Sequence, residues 1–108
     1  MHKKIIFVFS FVFSFLFSPG QNAWPSIKQQ ARPWTRWWWM GSAVDENNIS
    51  NQLHSLQKAG FGGVEIVPIY GAIGYEKQYI PYLSPQWIRM LQHTVKQSSE
   101  LNMGVYIQ

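Results

Sequence analysis

The chain has 108 residues, nine Lys and Arg against five Asp and Glu, a formal net charge of +4 and an aromatic content of 17%. That length suits one small domain and falls well short of the roughly 250 residues of a complete (β/α) barrel. The cations are scattered, which argues against nucleic acid as a partner, and the absence of cysteine excludes disulfides and a lipid-modified cysteine anchor.

Met1-His2-Lys3-Lys4 is a short basic region, and Ile5 to Phe17 follows as a run of 13 residues, apolar except for Ser10 and Ser14. Ser18-Pro19-Gly20 places small residues where a cut after Gly20 requires them, so residues 1–20 read as a secretory signal peptide. As a helix the run would span about 20 Å against a hydrocarbon core of about 30 Å, so no stable membrane anchor is expected. A periplasmic or extracellular location follows. Losing Lys3 and Lys4 with the leader leaves seven cations against five anions, a net charge of +2.

Residues 21–31 are polar, contain Pro25 and show no period, as in a linker. Four of the six tryptophans then fall between Pro33 and Gly41. Bulky aromatic residues suit a pleated surface, so Thr35 to Met40 reads as a first strand. Alternation puts Arg36, Trp38 and Met40 on one face and Thr35, Trp37 and Trp39 on the other.

Ser42 to Gly60 reads as a first helix with its opening turn. Asp45 or Ser42 is the N-cap, Ile49, Leu53, Leu56 and Ala59 form one apolar stripe, and Gly60 stands just past the end. His54 has no second His or Cys at metal spacing and reads as a surface residue. Gly62 to Pro68 is an apolar second strand holding one acid. Val64 and Ile66 face the helices, Glu65 and Val67 face the opposite side, and Pro68 stops the strand. A loop from Ile69 to Leu83 carries four tyrosines at a strand's C-terminal end, the face that bears active sites in barrels, and suits substrate contact or a lid.

Ser84-Pro85 opens a second helix with the serine as N-cap and proline at the first helical position. Its expected buried stripe is Trp87, Ile88, Leu91 and Val95, with Leu101 in the last turn, and His93 lies off it in solvent. Asn102 suits a left-handed cap, and Met103 to Gln108 is a third strand. The order β-α-β-α-β implies parallel neighbouring strands. No Gly-x-Gly-x-x-Gly follows the first strand, which weighs against a doubly wound dinucleotide fold. The expected class is α/β, the opening of a (β/α)8 TIM-type barrel over residues 32–108, truncated after its third strand.

Arg32-Pro33-Trp34-Thr35-Arg36-Trp37-Trp38-Trp39-x-Gly41, followed by Ala59-Gly60-Phe61-Gly62-Gly63-Val64-Glu65-Ile66, resembles the start of the catalytic barrel of glycoside hydrolase family 106. Met40 stands where the resemblance leads one to expect a proline. Members of that family are exported α-L-rhamnosidases acting on pectic and other plant glycans. The resemblance implies inverting hydrolysis by two carboxyl groups about 6.5 to 9.5 Å apart, and calcium at the sugar site of the full-length parent. It also implies catalytic carboxylates on later strands, so no catalytic residue is assigned here and this stretch alone is expected to be inactive. Trp38, Trp39, Glu65 and Tyr70 are the candidate contacts to a rhamnose-containing oligosaccharide or polysaccharide. Glu65 has two readings: a sugar-hydroxyl or calcium contact, or a buried ion pair with Arg36 on the neighbouring strand. A barrel hydrolase of another sugar specificity and a small exported glycan-binding module are the competing functions.

Overall fold

The computed structural model describes residues 24–108. The expected signal peptide and the first residues of the linker lie outside that range. What is described of the linker is mostly exposed and holds one 3₁₀ turn, Gln29–Ala31.

Strand β1 spans Trp34–Met40, helix α1 Glu46–Lys58, β2 Gly63–Ile69, α2 Pro85–Glu100 and β3 Gly104–Ile107. The strands form one parallel sheet in the order β1-β2-β3, with Trp34 opposite Gly63 and Gly63 opposite Gly104. The fold is α/β: three parallel strands joined by two helical crossovers, as the β-α-β-α-β pattern predicts.

Local chemistry sets the helix ends. Asp45 caps α1 by accepting from the Asn48 backbone N–H at 2.9 Å. Hydrogen bonds from Asn48 hold its carboxyl below the usual carboxylate range. At the other end Gly60, at φ +97, lets the chain turn left-handed while Phe61 N–H donates to the Leu56 carbonyl. Ser84 caps α2 by accepting from Trp87 N–H, with Pro85 at the first helical position, and Asn102 takes φ +53.

Five strand limits differ from expectation by one residue. β2 begins at Gly63, β3 runs only from Gly104 to Ile107, and two further limits lengthen a strand. β1 starts at Trp34, one residue earlier, and β2 continues through Pro68 to Ile69. Along β2 the backbone groups point alternately to the two neighbours. The Ile69 carbonyl accepts from Gly41 on the β1 side, and the Ile66 carbonyl accepts from Gln108 on the β3 side. Pro68 therefore turns its missing N–H toward β3, where it cannot donate to the Gln108 carbonyl, and the β2–β3 pairing ends at Ile66 and Ile107.

Both helices cover the same face of the sheet. The core joins Trp39, Val64 and Ile66 from the strands to Ile49 and Leu53 of α1 and Trp87 and Met90 of α2. Trp39 stacks edge-to-face on Trp37 at 5.8 Å and on Trp87 at 5.9 Å, geometry that adds specificity to burial. Among the described residues no helix is long and apolar enough to cross a membrane.

Helix α2 is rotated from the expected stripe. Its buried residues are Trp87, Met90, Thr94 and Ser98, whereas Ile88 and Val95 are exposed. Thr94 and Ser98 are both fully buried, and Thr94 returns its hydroxyl to the Met90 carbonyl at 2.8 Å. His93 is not in free solvent either. Its Nε2 lies 2.8 Å from Ser50 Oγ and 3.0 Å from the Glu46 carbonyl, which ties α2 to the first two turns of α1. His54 is exposed, as expected.

Leu53→Ala, at a fully buried position, is expected to cost about 2–5 kcal/mol in denaturant unfolding. Val95→Ala is expected to stay within about 0.5 kcal/mol. Equal costs at the two positions would contradict the observed rotation of α2.

Candidate functional site

Because both helices lie on one face, the other face of the sheet carries no helix among the described residues and in that sense is bare. At the N-terminal ends of the strands, Trp34 lies across it. A Cβ added to Gly63 would come within 2.6 Å of the indole and one added to Gly104 within 2.1 Å, so only glycine admits the ring there. One step along, the register lines up Arg36, Glu65 and Tyr106 across the three strands. Arg36 Nε donates to Glu65 Oε2 at 3.0 Å. The pair expected from the sequence is present, but it is not buried: the side chains are 63% and 24% exposed. Trp38, opposite Val67, is 62% exposed on the same bare face.

The four sequence-derived contact residues do not converge. Trp38 and Glu65 share the bare face as diagonal neighbours on paired strands. Trp39 is 1% exposed beneath the helices. Its odd position in β1 turns it to the helix side, so its ring packs in the core and offers no surface to a sugar. Tyr70 stands just past the end of β2, 83% exposed, on the loop between β2 and α2.

That loop is fastened in its middle rather than hinged. The Tyr79 ring is wedged against Gly41 and Gly71, where a Cβ would come within 2.4 Å and 1.9 Å of it. Its hydroxyl donates to the Ala72 carbonyl. Ile80 is buried and donates its N–H to the Gly41 carbonyl at 3.1 Å, while Gly41 N–H donates to Ile69 at 2.9 Å. Burial, with the Glu76 charge second, pushes the Tyr79 phenol above its ordinary value. Glu76 is bound in turn by Gly74 N–H, and backbone hydrogen bonds hold its carboxyl low. Held by these contacts, the loop forms a wall beside the strand ends.

Between this wall and the strand ends lies a cleft of about 430 Å³, lined by Gly41, Ser42, Pro68, Ile69, Tyr79 to Tyr82 and Gln108. Ser42, at φ +49, accepts from Trp87 Nε1 at 3.0 Å and so joins the end of β1 to the start of α2. Sequence reasoning missed the parts played by Tyr79, Ser42 and Gln108. Glycines at both 41 and 71 were the available signal for Tyr79, but nothing in the sequence says that they flank one ring.

Calcium takes six to eight oxygen ligands. Among the described residues no three His, Cys, Asp or Glu side chains converge. Glu65, the acid on the bare face, is already paired with Arg36. These residues do not fit a calcium site by themselves, and no step is derived through one.

A family model described as alpha-L-rhamnosidase, of glycoside hydrolase family 106, matches residues 25–108. No curated protein matches the chain. Among solved structures, a rhamnosidase from Novosphingobium sp. PP1Y superposes with a TM-score of 0.64 at 19% identity, over 76% of this chain. That likeness concerns the fold, and the chain spans only 8% of the length of that rhamnosidase.

A double-mutant cycle on Arg36→Ala and Glu65→Ala is expected to give a coupling of about 0.2–1 kcal/mol that shrinks with added salt, as for exposed pairs. A coupling of about 3 kcal/mol, insensitive to salt, would instead mark a pair withdrawn from water.

Proposed function

This chain belongs to glycoside hydrolase family 106, the α-L-rhamnosidase family, and from that premise we propose that it forms the opening units of a (β/α)8 barrel in an exported enzyme. That enzyme hydrolyses terminal α-L-rhamnosyl residues of plant or pectic glycans. The observation that supports the reading best is the one-sided sheet. Parallel sheets are stable when both faces are covered. Here one face carries both helices, and the other presents Trp34, the Arg36–Glu65 pair, Trp38 and Tyr106 to space. Closure of the sheet into a barrel turns that face into the barrel interior and gives the outer strands β1 and β3 their missing neighbours.

Inverting hydrolysis needs one carboxylic acid to protonate the leaving oxygen and one carboxylate to activate water from the opposite side of the ring. The five acids of this chain do not supply such a pair. Asp45 caps α1, and Glu46 is in its exposed first turn. Glu76 is bound within its loop, and Glu100 accepts from Gln97 at the end of α2. Glu65 alone faces the bare side of the sheet, with Arg36 on its carboxylate. The chain's share of the reaction is therefore framework and substrate contact, and residues 21–108 by themselves are inactive.

The complete gene product containing this stretch is expected to release rhamnose from an aryl α-L-rhamnoside, with the freed sugar first appearing in inverted configuration by NMR. Residues 21–108 expressed alone should release none. Turnover of other aryl glycosides but not the rhamnoside would remove the sugar assignment, and no turnover of any would remove the hydrolase reading.

The proposal of export has its own check. N-terminal sequencing of the exported product is expected to start at Gln21 or a few residues beyond, and a membrane-retained product still carrying Met1 would overturn it.

A further inference from the structure

We infer that His93 is a latch between the two helices with its proton fixed on Nε2. That N–H donates to the Glu46 carbonyl, with Ser50 Oγ as a second acceptor, and holds α2 in its observed rotation. The inference is independent of what the complete protein hydrolyses.

The chemistry of the acceptors assigns the proton. His93 is half-buried, and its Nε2 lies 2.8 Å from Ser50 Oγ and 3.0 Å from the Glu46 carbonyl oxygen. A neutral imidazole has one N–H donor and one nitrogen that accepts. The Ser50 hydroxyl can meet either kind. A carbonyl oxygen has no proton to give, so at 3.0 Å it attracts Nε2 only if that nitrogen bears hydrogen. The carbonyl also has room for the bond. Within α1 it takes the Ser50 N–H on one lone pair, which leaves the other for His93.

Position makes this bond a latch. Among the described residues, the hydrogen bonds that join α1 to α2 are those of His93. They run from the middle of α2 to the first two turns of α1. Elsewhere the helices meet through apolar side chains, whose attraction is non-directional and sets no angle by itself.

The bond also requires the observed rotation of α2. With Trp87, Met90, Thr94 and Ser98 turned inward, His93 lies on the flank that faces α1. Burying Ile88 and Val95 beside Trp87 and Leu91 would turn the helix by roughly 70°, at about 100° per residue. That turn carries His93 away from α1 and leaves the Glu46 carbonyl without its second donor. A directional polar contact thereby favours one rotation over a more apolar alternative, as single polar groups do when they fix register in helical interfaces.

The first test is hydrogen exchange of the amides of α1 and α2 in the complete gene product. His93→Leu, which fills the space without a donor, is expected to speed exchange roughly tenfold, the loss of one hydrogen bond. His93→Gln, with an amide donor at the reach of Nε2, should stay within about threefold of wild type. Ser50→Ala, which leaves the carbonyl in place, should stay within about twofold. A Ser50→Ala effect as large as that of His93→Leu would make the hydroxyl the donor and overturn the proton assignment. Exchange in His93→Leu no faster than wild type, or in His93→Gln as fast as in His93→Leu, overturns the latch.

Rotation is read by alkylation of a thiol at a fully buried position, located by peptide mass. His93→Leu is expected to speed the reaction of Thr94→Cys on α2 roughly tenfold and to leave Val64→Cys on β2, equally buried, within about twofold. Equal acceleration at both sites, or at neither, overturns the rotational role. Should Thr94→Cys fail to fold, Ser98→Cys, also fully buried on α2, reads the same turn.

Discussion

The parallel register of β1 against β2 is the constraint on which the other assignments depend. With Arg36 opposite Glu65 and Trp38 opposite Val67, the two-residue alternation of each strand becomes a division of the whole sheet into two faces. Trp39, Val64 and Ile66 fall on the side that the helices cover, and Trp38 and Glu65 fall on the bare side. A slip of one residue between the two strands would send either Glu65 into the core or Trp39 into solvent. Three adjacent tryptophans thereby acquire different roles: Trp37 half-buried with its N–H on Gln52, Trp39 buried, Trp38 exposed.

A line of edge-to-face rings, Trp37–Trp39–Trp87–Tyr82, runs from the α1 side of the core to the wall of the cleft. It joins the packed core to the cleft in one continuous contact. The rings that stabilise α1 and α2 against the sheet also hold the exposed tyrosine. The loop is fastened from the other direction by Tyr79, whose ring fits only because residues 41 and 71 lack a side chain. Strand ends, loop and second helix thus form one rigid rim, joined by backbone bonds from Ile80 to Gly41 and from Gly41 to Ile69.

Much of the fold was legible beforehand because its signals are local. Asp45, Ser84-Pro85, Gly60 and Asn102 mark helix ends through bonds to their immediate neighbours, and each performs the expected role. The Arg36–Glu65 pair was legible too, since strand alternation and parallel order place both on one face. The rotation of α2 was not. Of the expected apolar stripe, Trp87 is buried and Leu91 packs against the core, but Met90, Thr94 and Ser98 take the buried positions expected for Ile88 and Val95. The contest is decided by which side meets α1 and the sheet, and that side carries Thr94 and Ser98. His93 was misplaced for the same reason: its partners, Ser50 and the Glu46 carbonyl, lie more than forty residues away in the chain.

By itself the sequence determined the element order, the helix caps, the α/β class and, through the tryptophan run and Gly-Gly-Val-Glu-Ile, the family. These depend on residues close along the chain or on alternation within a single strand. Tertiary structure decided which tryptophan is core, that the Tyr79 ring seats the tyrosine loop between Gly41 and Gly71, and that Ser42, Tyr82 and Gln108 border one cleft. Those facts arise only when three strand ends and a helix start are brought side by side, and nothing in the linear spacing of the residues carries that distance.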